Sequence, residues 1–296
     1  MVSFMKRILV VYYSQTGQLK RILDSMVKPI SDNPSISIEY LEIRPSTSYP
    51  FPWTRHAFLE VFPECVLEKP IRLAPFEAMH SDSYDLIILG FQPWYLSPSL
   101  PVSTFLQSPE AKKLFRGAEV LTVIGARNMW IKSYERVKER LEHLGGRLRG
   151  NIVLIDRAPN LVSAVTICYW MFTGKKDRCL GLFPPPGVSE SDIAAAEKYA
   201  NAITPLLEQE RMVEADEIPL TFGETEINVS LARLENRAKK IFFLWANAIT
   251  KRPRVRKRLL NIFFVELILA LAIVSPVNSL LGLVFNRFHK RRNGYR

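Results

Sequence analysis

Apolar residues along this chain follow two rhythms. Short, mostly apolar runs occur at Ile8–Tyr13, Tyr84–Gly90 and Ala118–Gly125, with a further run at Arg147–Asp156, while Ser35–Ile43 alternates apolar with polar positions. These five segments predict strands, the continuous runs fitting strands of a parallel sheet buried on both faces. Between them the spacing changes to three and four. Leu19, Ile22, Leu23 and Met26 predict a first helix. Ile131–Leu144 predicts another, charged at Lys132, Glu135, Lys138, Glu139 and Glu142 and ended by Gly145-Gly146. Ser189 with Asp192 reads as the start of a third, running through Ala194–Ala196 to about Glu210. Strands alternating with helices predict an α/β fold, a doubly wound five-stranded parallel sheet with helices on both faces.

Two stretches break this rhythm. Arg44–Ser83 contains Tyr49-Pro50-Phe51-Pro52-Trp53 and no clear period. It is too long for a bare connection, and reads either as a lid or substrate-facing insertion, or as aromatic packing over a sheet edge. Residues 157–187 are a second irregular stretch, broken by Pro184-Pro185-Pro186-Gly187. Arg211–Glu226 reads as a linker, which divides the chain into 1–210, 211–226 and 227–296.

The last segment has a different character. Ile227, Leu231, Leu234, Ala238, Ile241, Phe242, Trp245, Ala248 and Ile249 recur at three and four, with Arg233, Arg237, Lys239 and Lys240 opposite, predicting a basic amphipathic helix. Lys251–Arg258 carries six basic residues, Leu259–Phe285 is nearly all apolar, and five more basic residues follow. A continuous helix of that apolar length would be roughly 40 Å long against a hydrocarbon core of about 30 Å. Pro276 and the two basic flanks instead predict a re-entrant hairpin held on anionic membrane lipids, with both ends on the cytoplasmic side. The net charge of +11 is therefore local: Lys251–Arg296 has eleven basic residues and one acid, leaving 29 basic and 28 acidic residues before it. A general nucleic-acid-binding surface is not supported. Cys65, Cys168 and Cys179 are too few and too irregular for a disulfide framework or a zinc site.

In an open α/β sheet, ligands bind beyond the carboxyl ends of the strands. Ser14-Gln15-Thr16-Gly17-Gln18 leaves the first predicted strand and enters a helix, the layout of a phosphate cradle: helix N–H groups, two hydroxyls and a glycine. It is neither a Walker loop nor GxGxxG. Phe91–Ser97 and Gly125–Trp130 leave two further strand ends. Pro93, Trp94, Tyr95 and Trp130 offer flat apolar walls, and Gly125 and Asn128 close approach and an amide, which together suit the ring and phosphate of FMN. Arg127 is a candidate for stabilising negative charge at the ring edge. His56 and Asp156 are alternative candidate bases, whereas His80 and His143 have no evident role. Thr173-Gly174-Lys175-Lys176 lacks the glycine and hydroxyl of a P-loop.

The loop after the first strand resembles the flavodoxin-like family, whose phosphate loop reads roughly Ser/Thr-x-Thr-Gly-x-Thr: Ser14, Thr16 and Gly17 match, and Leu19 stands in place of the last hydroxyl. YYSQTGQL (Tyr12–Leu19), YPFPW (Tyr49–Trp53), Phe91–Ser108, GARNMW (Gly125–Trp130), LIDRAPN (Leu154–Asn160), WMFTGKKDR (Trp170–Arg178) and LFPPPGVS (Leu182–Ser189) together resemble the bacterial dialkylresorcinol-condensing family. That resemblance implies a place in making flexirubin-type and aryl-polyene lipids. It further implies that a ketosynthase-like partner forms a dialkylcyclohexane-1,3-dione and that this chain, with FMN, oxidises it to the aromatic resorcinol. A lipophilic dione would give the apolar tail a purpose at the cytoplasmic face of the inner membrane. The alternatives are a membrane-tethered quinone reductase and a non-enzymatic flavin electron carrier or scaffold for the ketosynthase. A homodimer is compatible with the pattern.

Overall fold

The structure is a computed structural model and describes residues 5–77, 81, 83–208 and 229–270. Five parallel strands form one sheet: β1 (Lys6–Tyr12), β2 (Ile36–Glu42), β3 (Leu86–Phe91), β6 (Glu119–Ala126) and β7 (Arg147–Ile155), in spatial order β2-β1-β3-β6-β7. These are the five expected strands, displaced by at most two residues at either end. The order reverses beside β1, so the crevice at its carboxyl end is the switch point of the sheet.

Strand parity divides the core. Ile8, Val10, Ile88, Leu121, Val123 and Ile152 face α1 (Gln18–Ser31), α8 (Glu190–Ala194) and α9 (Ala200–Glu208). Leu9, Val11, Ile87, Leu89, Val120, Ile124 and Val153 face α4 (Leu100–Phe105), α5 (Pro109–Phe115) and α6 (Ile131–His143). Both faces are apolar, which is why these strands read as continuous runs. Gly90 and Gly125 let α1 come close: a Cβ at Gly90 would stand 2.7 Å from Leu23 Cδ1, and one at Gly125 3.3 Å from Ile22 Cδ1. The helix expected from Ser189 is interrupted by a 3-10 turn over Ala195–Tyr199 between α8 and α9, and the Ser189 hydroxyl does accept from the Asp192 N–H.

Both irregular stretches contain helices. The first holds α2 (Arg55–Glu60) and α3 (Phe62–Val66), with a cis Phe51–Pro52 peptide before them. The loop after β3 folds back as a small antiparallel pair, β4 (Pro93–Trp94) with β5 (Ser97–Pro98). The second stretch holds α7 (Asn160–Thr173), closed by Gly174 in the left-handed conformation. Gly174 is thus a helix cap, with Lys176 paired to Glu190.

The amphipathic helix of the C-terminal segment is present as α10 (Val229–Thr250), followed by α11 (residues 256–270). Its apolar side is covered by protein. Leu59, Phe62 and Val66 of the insertion pack with Ala246, Ile249, Leu260 and Phe263, and Phe263 stacks on Phe62 with ring centroids 3.8 Å apart. Arg256 is turned inward and donates to both Glu60 and Glu64. No described helix is long and apolar enough to cross a membrane. Pro276, the re-entrant hairpin built around it, the linker Arg211–Glu226 and His80 lie outside the described residues.

Removing the Phe263 ring tests this docking. Phe263→Ala should cost about 3–5 kcal/mol, the usual loss for a buried aromatic. Amide exchange should then accelerate in α10 and α11 while β1, β3 and β6 keep their protection.

Candidate functional site

At the carboxyl edge, β1 ends and the chain turns through Gly17, at φ 76°, into α1. No side chain caps α1 at Gly17 and its first turn has no acid. The Ser14 hydroxyl accepts from Lys20 N–H at 3.3 Å and Thr16 from Gln18 N–H at 3.4 Å, which leaves both hydroxyl protons free to donate. The N–H groups of Gln15, Thr16 and Gly17 find no acceptor among the described residues. A Cβ placed on Gly17 would meet nothing within 4 Å, so the approach to the turn is open. This is an anion cup with its donors still available.

The two glutamines wall the cup instead of lining it. Gln15 donates to Pro50 O at 3.0 Å, tying the aromatic insertion to the turn. Gln18 accepts from Val188 N–H and donates to Val188 O. That clasp needs Gly187: its φ is 80°, and a Cβ there would lie 2.9 Å from both Gln18 Oε1 and Trp170 Cζ3.

The second group of candidates sits after β6. Arg127 is only partly exposed, and its guanidinium donates to neutral acceptors: Asn160 O at 2.9 Å, Asn160 Oδ1 at 2.7 Å and Met129 Sδ at 3.3 Å. It pairs with no carboxylate among the described residues. Burial lowers its pKa, opposed by Cys168, Asp156 and Glu235 nearby. Asn128 donates to the same Asn160 Oδ1, while its own Oδ1 is shielded and receives nothing. Asn160, at the start of α7, is the hub of this group and had no part in the sequence-based assignment.

The aromatic candidates separate. Trp94 stands edge-on to Tyr49, Trp53 and Tyr13, at centroid distances of 5.2, 5.5 and 5.8 Å, so it joins an aromatic wall built partly from the insertion. Tyr95, next to Pro93-Trp94, turns the other way: its hydroxyl donates to Phe58 O at 2.6 Å and its ring meets Phe58 and Phe62. Burial raises its phenol pKa well above the usual range.

Four assignments are corrected by packing. Trp130 is 4% exposed and belongs to the core under α6, beside Tyr134. Gly125 shares the parity of Leu121 and Val123 and serves the contact with α1. His56 is exposed to solvent in the first turn of α2. Asp156 is buried and fully engaged, accepting from Ala158 N–H, the Ser163 hydroxyl and Gly187 N–H. It staples β7 to α7 and to the clasp, a structural role that these three donors account for. His143 is exposed at the end of α6.

α10 reaches the loops on both sides of this region. Glu235, fully buried, accepts from Lys132 N–H at 2.9 Å and Ile131 N–H at 3.4 Å, capping α6, which has no cap of its own. Lys239 donates to Leu96 O at 3.2 Å and to the Ser97 hydroxyl, holding the loop that carries Trp94. A signal existed: Glu235 falls four residues after Leu231, on the apolar side of the helix.

The strand order is that of the flavodoxin-type doubly wound sheet. The fold is flavodoxin-like. Neither a family profile nor a curated relative matches the chain. Similar solved structures include a flavoprotein in complex with FMN from Lactobacillus acidophilus, at 19% identity and TM-score 0.39 over 50% of this chain and 93% of that one. Oxidised flavodoxin 1 from Bacillus cereus is similar at 12% identity and TM-score 0.39, over 68% and 98%. A flavodoxin, WrbA-like protein from Agrobacterium tumefaciens is similar at 13% identity and TM-score 0.37, over 70% and 99%.

Two tests follow from this geometry. Gly187→Ala forces a side chain into a left-handed residue, which costs roughly 1–2 kcal/mol before the clash with Trp170 is counted, and thermal melting should register it. Burial raises the Glu235 carboxyl pKa against the opposing pull of the α6 N–H groups. The folded state therefore holds this proton more tightly than the unfolded chain. Its contribution to docking is full below the ordinary glutamate value of about 4.3 and declines as pH rises through the raised value. Glu235→Gln should flatten that dependence and dock as well or better at neutral pH. Glu235→Ala, which orphans the N–H groups, should lose about 1–3 kcal/mol.

Proposed function

We propose that this protein binds FMN at the cup after β1 and uses it to oxidise a dialkylcyclohexane-1,3-dione to a dialkylresorcinol, receiving the dione from a ketosynthase-like partner. The observation that carries the reading is an open anion cup after β1, with a shielded cation, hydrogen-bonded among the described residues only to neutral acceptors, at the same carboxyl edge of the sheet. The residues suit the group. The N–H groups of Gln15, Thr16 and Gly17 and the hydroxyls of Ser14 and Thr16 would hold its phosphate. The wall of Tyr49, Trp53 and Trp94 supplies apolar ring edges, and the unpaired Asn128 Oδ1 an acceptor for a ring N–H. When bound, FMN supplies a two-electron acceptor for hydride.

Aromatisation removes two hydrogens from the dione, one as a proton and one as hydride with its electron pair, and enolisation completes the ring. A proton between two carbonyls is already acidic, so the chain's main task is to hold the resulting enolate. Arg127 is fixed by Asn160 in a setting of low polarity, where its charge acts strongly on an oxyanion. With His56 exposed to solvent and Asp156 held by three donors, the reading names no dedicated base: the acidic dione proton passes to solvent water while Arg127 holds the enolate.

The purified protein should be yellow and should quench FMN fluorescence on titration. Ser14→Ala with Thr16→Ala should weaken FMN binding at least about tenfold, the equivalent of one lost bond to a charged group. Arg127→Ala should lower dione turnover by about 10²–10³, with a smaller effect on FMN affinity. FMN binding with turnover of quinones but not diones would replace the substrate and leave the cofactor. Absence of flavin binding would reject the whole reading.

A further inference from the structure

The hairpin of α10 and α11 uses its inner side for docking and leaves the outer side bare. Of thirteen large hydrophobic residues exposed among the described residues, eight lie between Ile241 and Leu269. Leu244 is 69% exposed, and Val265 and Leu269 are each 54% exposed. On α11, Ile262, Val265 and Leu269 recur at three and four and form one apolar stripe, opposite the docked Leu260 and Phe263. Lys251, Arg252, Arg254, Lys257 and Arg258 stand at its N-terminal end and Lys240 on α10, all exposed. None of these six has an ion-pair partner among the described residues, whereas Arg256, between them, is satisfied internally. Glu266, the one acid of the segment, is held by the Trp245 indole N–H at 2.9 Å. The sequence after residue 270 stays largely apolar to Phe285, and five basic residues lie within residues 287–296.

An exposed apolar stripe edged by unpaired cations fits an anionic bilayer surface, where chain region and headgroups meet the two features together. It does not fit a second copy of the same side, because the cations would face one another. We propose that the outer side of the α10–α11 hairpin is the surface by which this protein lies on anionic lipid, with both helices in the plane of the interface. The docked inner side rules out immersion of these helices, since Phe263 and Leu260 are already covered by Phe62 and its neighbours. The inference rests on packing and charge and stands whether or not the chain binds flavin.

The full chain is sedimented with phosphatidylcholine vesicles, with and without phosphatidylglycerol. Binding should require the anionic lipid and fall as salt is raised. The triple variant Lys240→Gln, Lys257→Gln, Arg258→Gln should partition on the order of a hundredfold less, at about fivefold per cation. An environment-sensitive dye on Leu244→Cys or Val265→Cys should shift to the blue on these vesicles, and the same dye on Lys28→Cys, in α1, should not; circular dichroism checks that each variant is folded. The unsubstituted chain, treated with the same dye, serves as the blank for the native thiols. Undiminished binding of the triple variant, an unshifted dye at 244 and 265, or a concentration-dependent dimer without vesicle binding would each overturn the proposal.

Discussion

A helix start needs an anion or an acceptor, and that need organises the carboxyl edge of this sheet. α1 and α6 both begin there, both without a side-chain cap or an acid in the first turn. Each concentrates orphan N–H groups and a partial positive charge of about half a unit at one point. The chain answers the two starts differently. α6 receives Glu235 from a helix more than a hundred residues further on. α1 receives only two hydroxyl oxygens at long distances, and the N–H groups before it stay open. A fold that can bring a carboxylate across the molecule to one helix leaves the other for something from outside.

Buried charges follow the same division. Glu68 is nearly buried and is matched by Arg136 at 2.7 Å and Arg140 at 3.1 Å, fixing the insertion to α6. Glu235 has a row of backbone donors, and Arg256 has two carboxylates. These are structural charges, each with its counterpart supplied. Arg127, like Lys239, is met by neutral acceptors: its partners are an amide, a carbonyl and a thioether, which orient a guanidinium without neutralising it. It lies in the loop after β6, while the α1 cup and the Trp94 wall follow β1 and β3, the next strands across the sheet, at the same carboxyl edge.

The sheet was legible because strands covered on both faces cannot avoid short, unbroken apolar runs. The cup was legible because Ser14, Thr16 and Gly17 are the residue types that a strand-to-helix turn with free donors requires. α7 was not: Asn160–Thr173 is apolar nearly all round, with β-branched and aromatic residues and no polar stripe, so helical periodicity had nothing to mark. α2 and α3 are too short to show a period at all. Gly125 and Trp130 were read by position after a strand, when the parity of Leu121 and Val123 already assigned Gly125 to the α1 side. The C-terminal helix shows a deeper ambiguity. An apolar stripe says that one side will be covered and does not say by what, and protein and lipid leave the same pattern. Only the carboxylate at Glu235, set among apolar neighbours, pointed to a protein surface with donors to offer.

The hairpin has a practical corollary for anyone choosing where to cut the gene. Ending the polypeptide at residue 208 would yield what looks like a tidy α/β unit. That fragment would bare Leu59, Phe62 and Val66 to water, leave α6 uncapped and release the loop that Lys239 holds. Such a piece would clump through its bared insertion. Whatever cofactor affinity it displayed would describe a wounded crevice, not the one the whole chain builds.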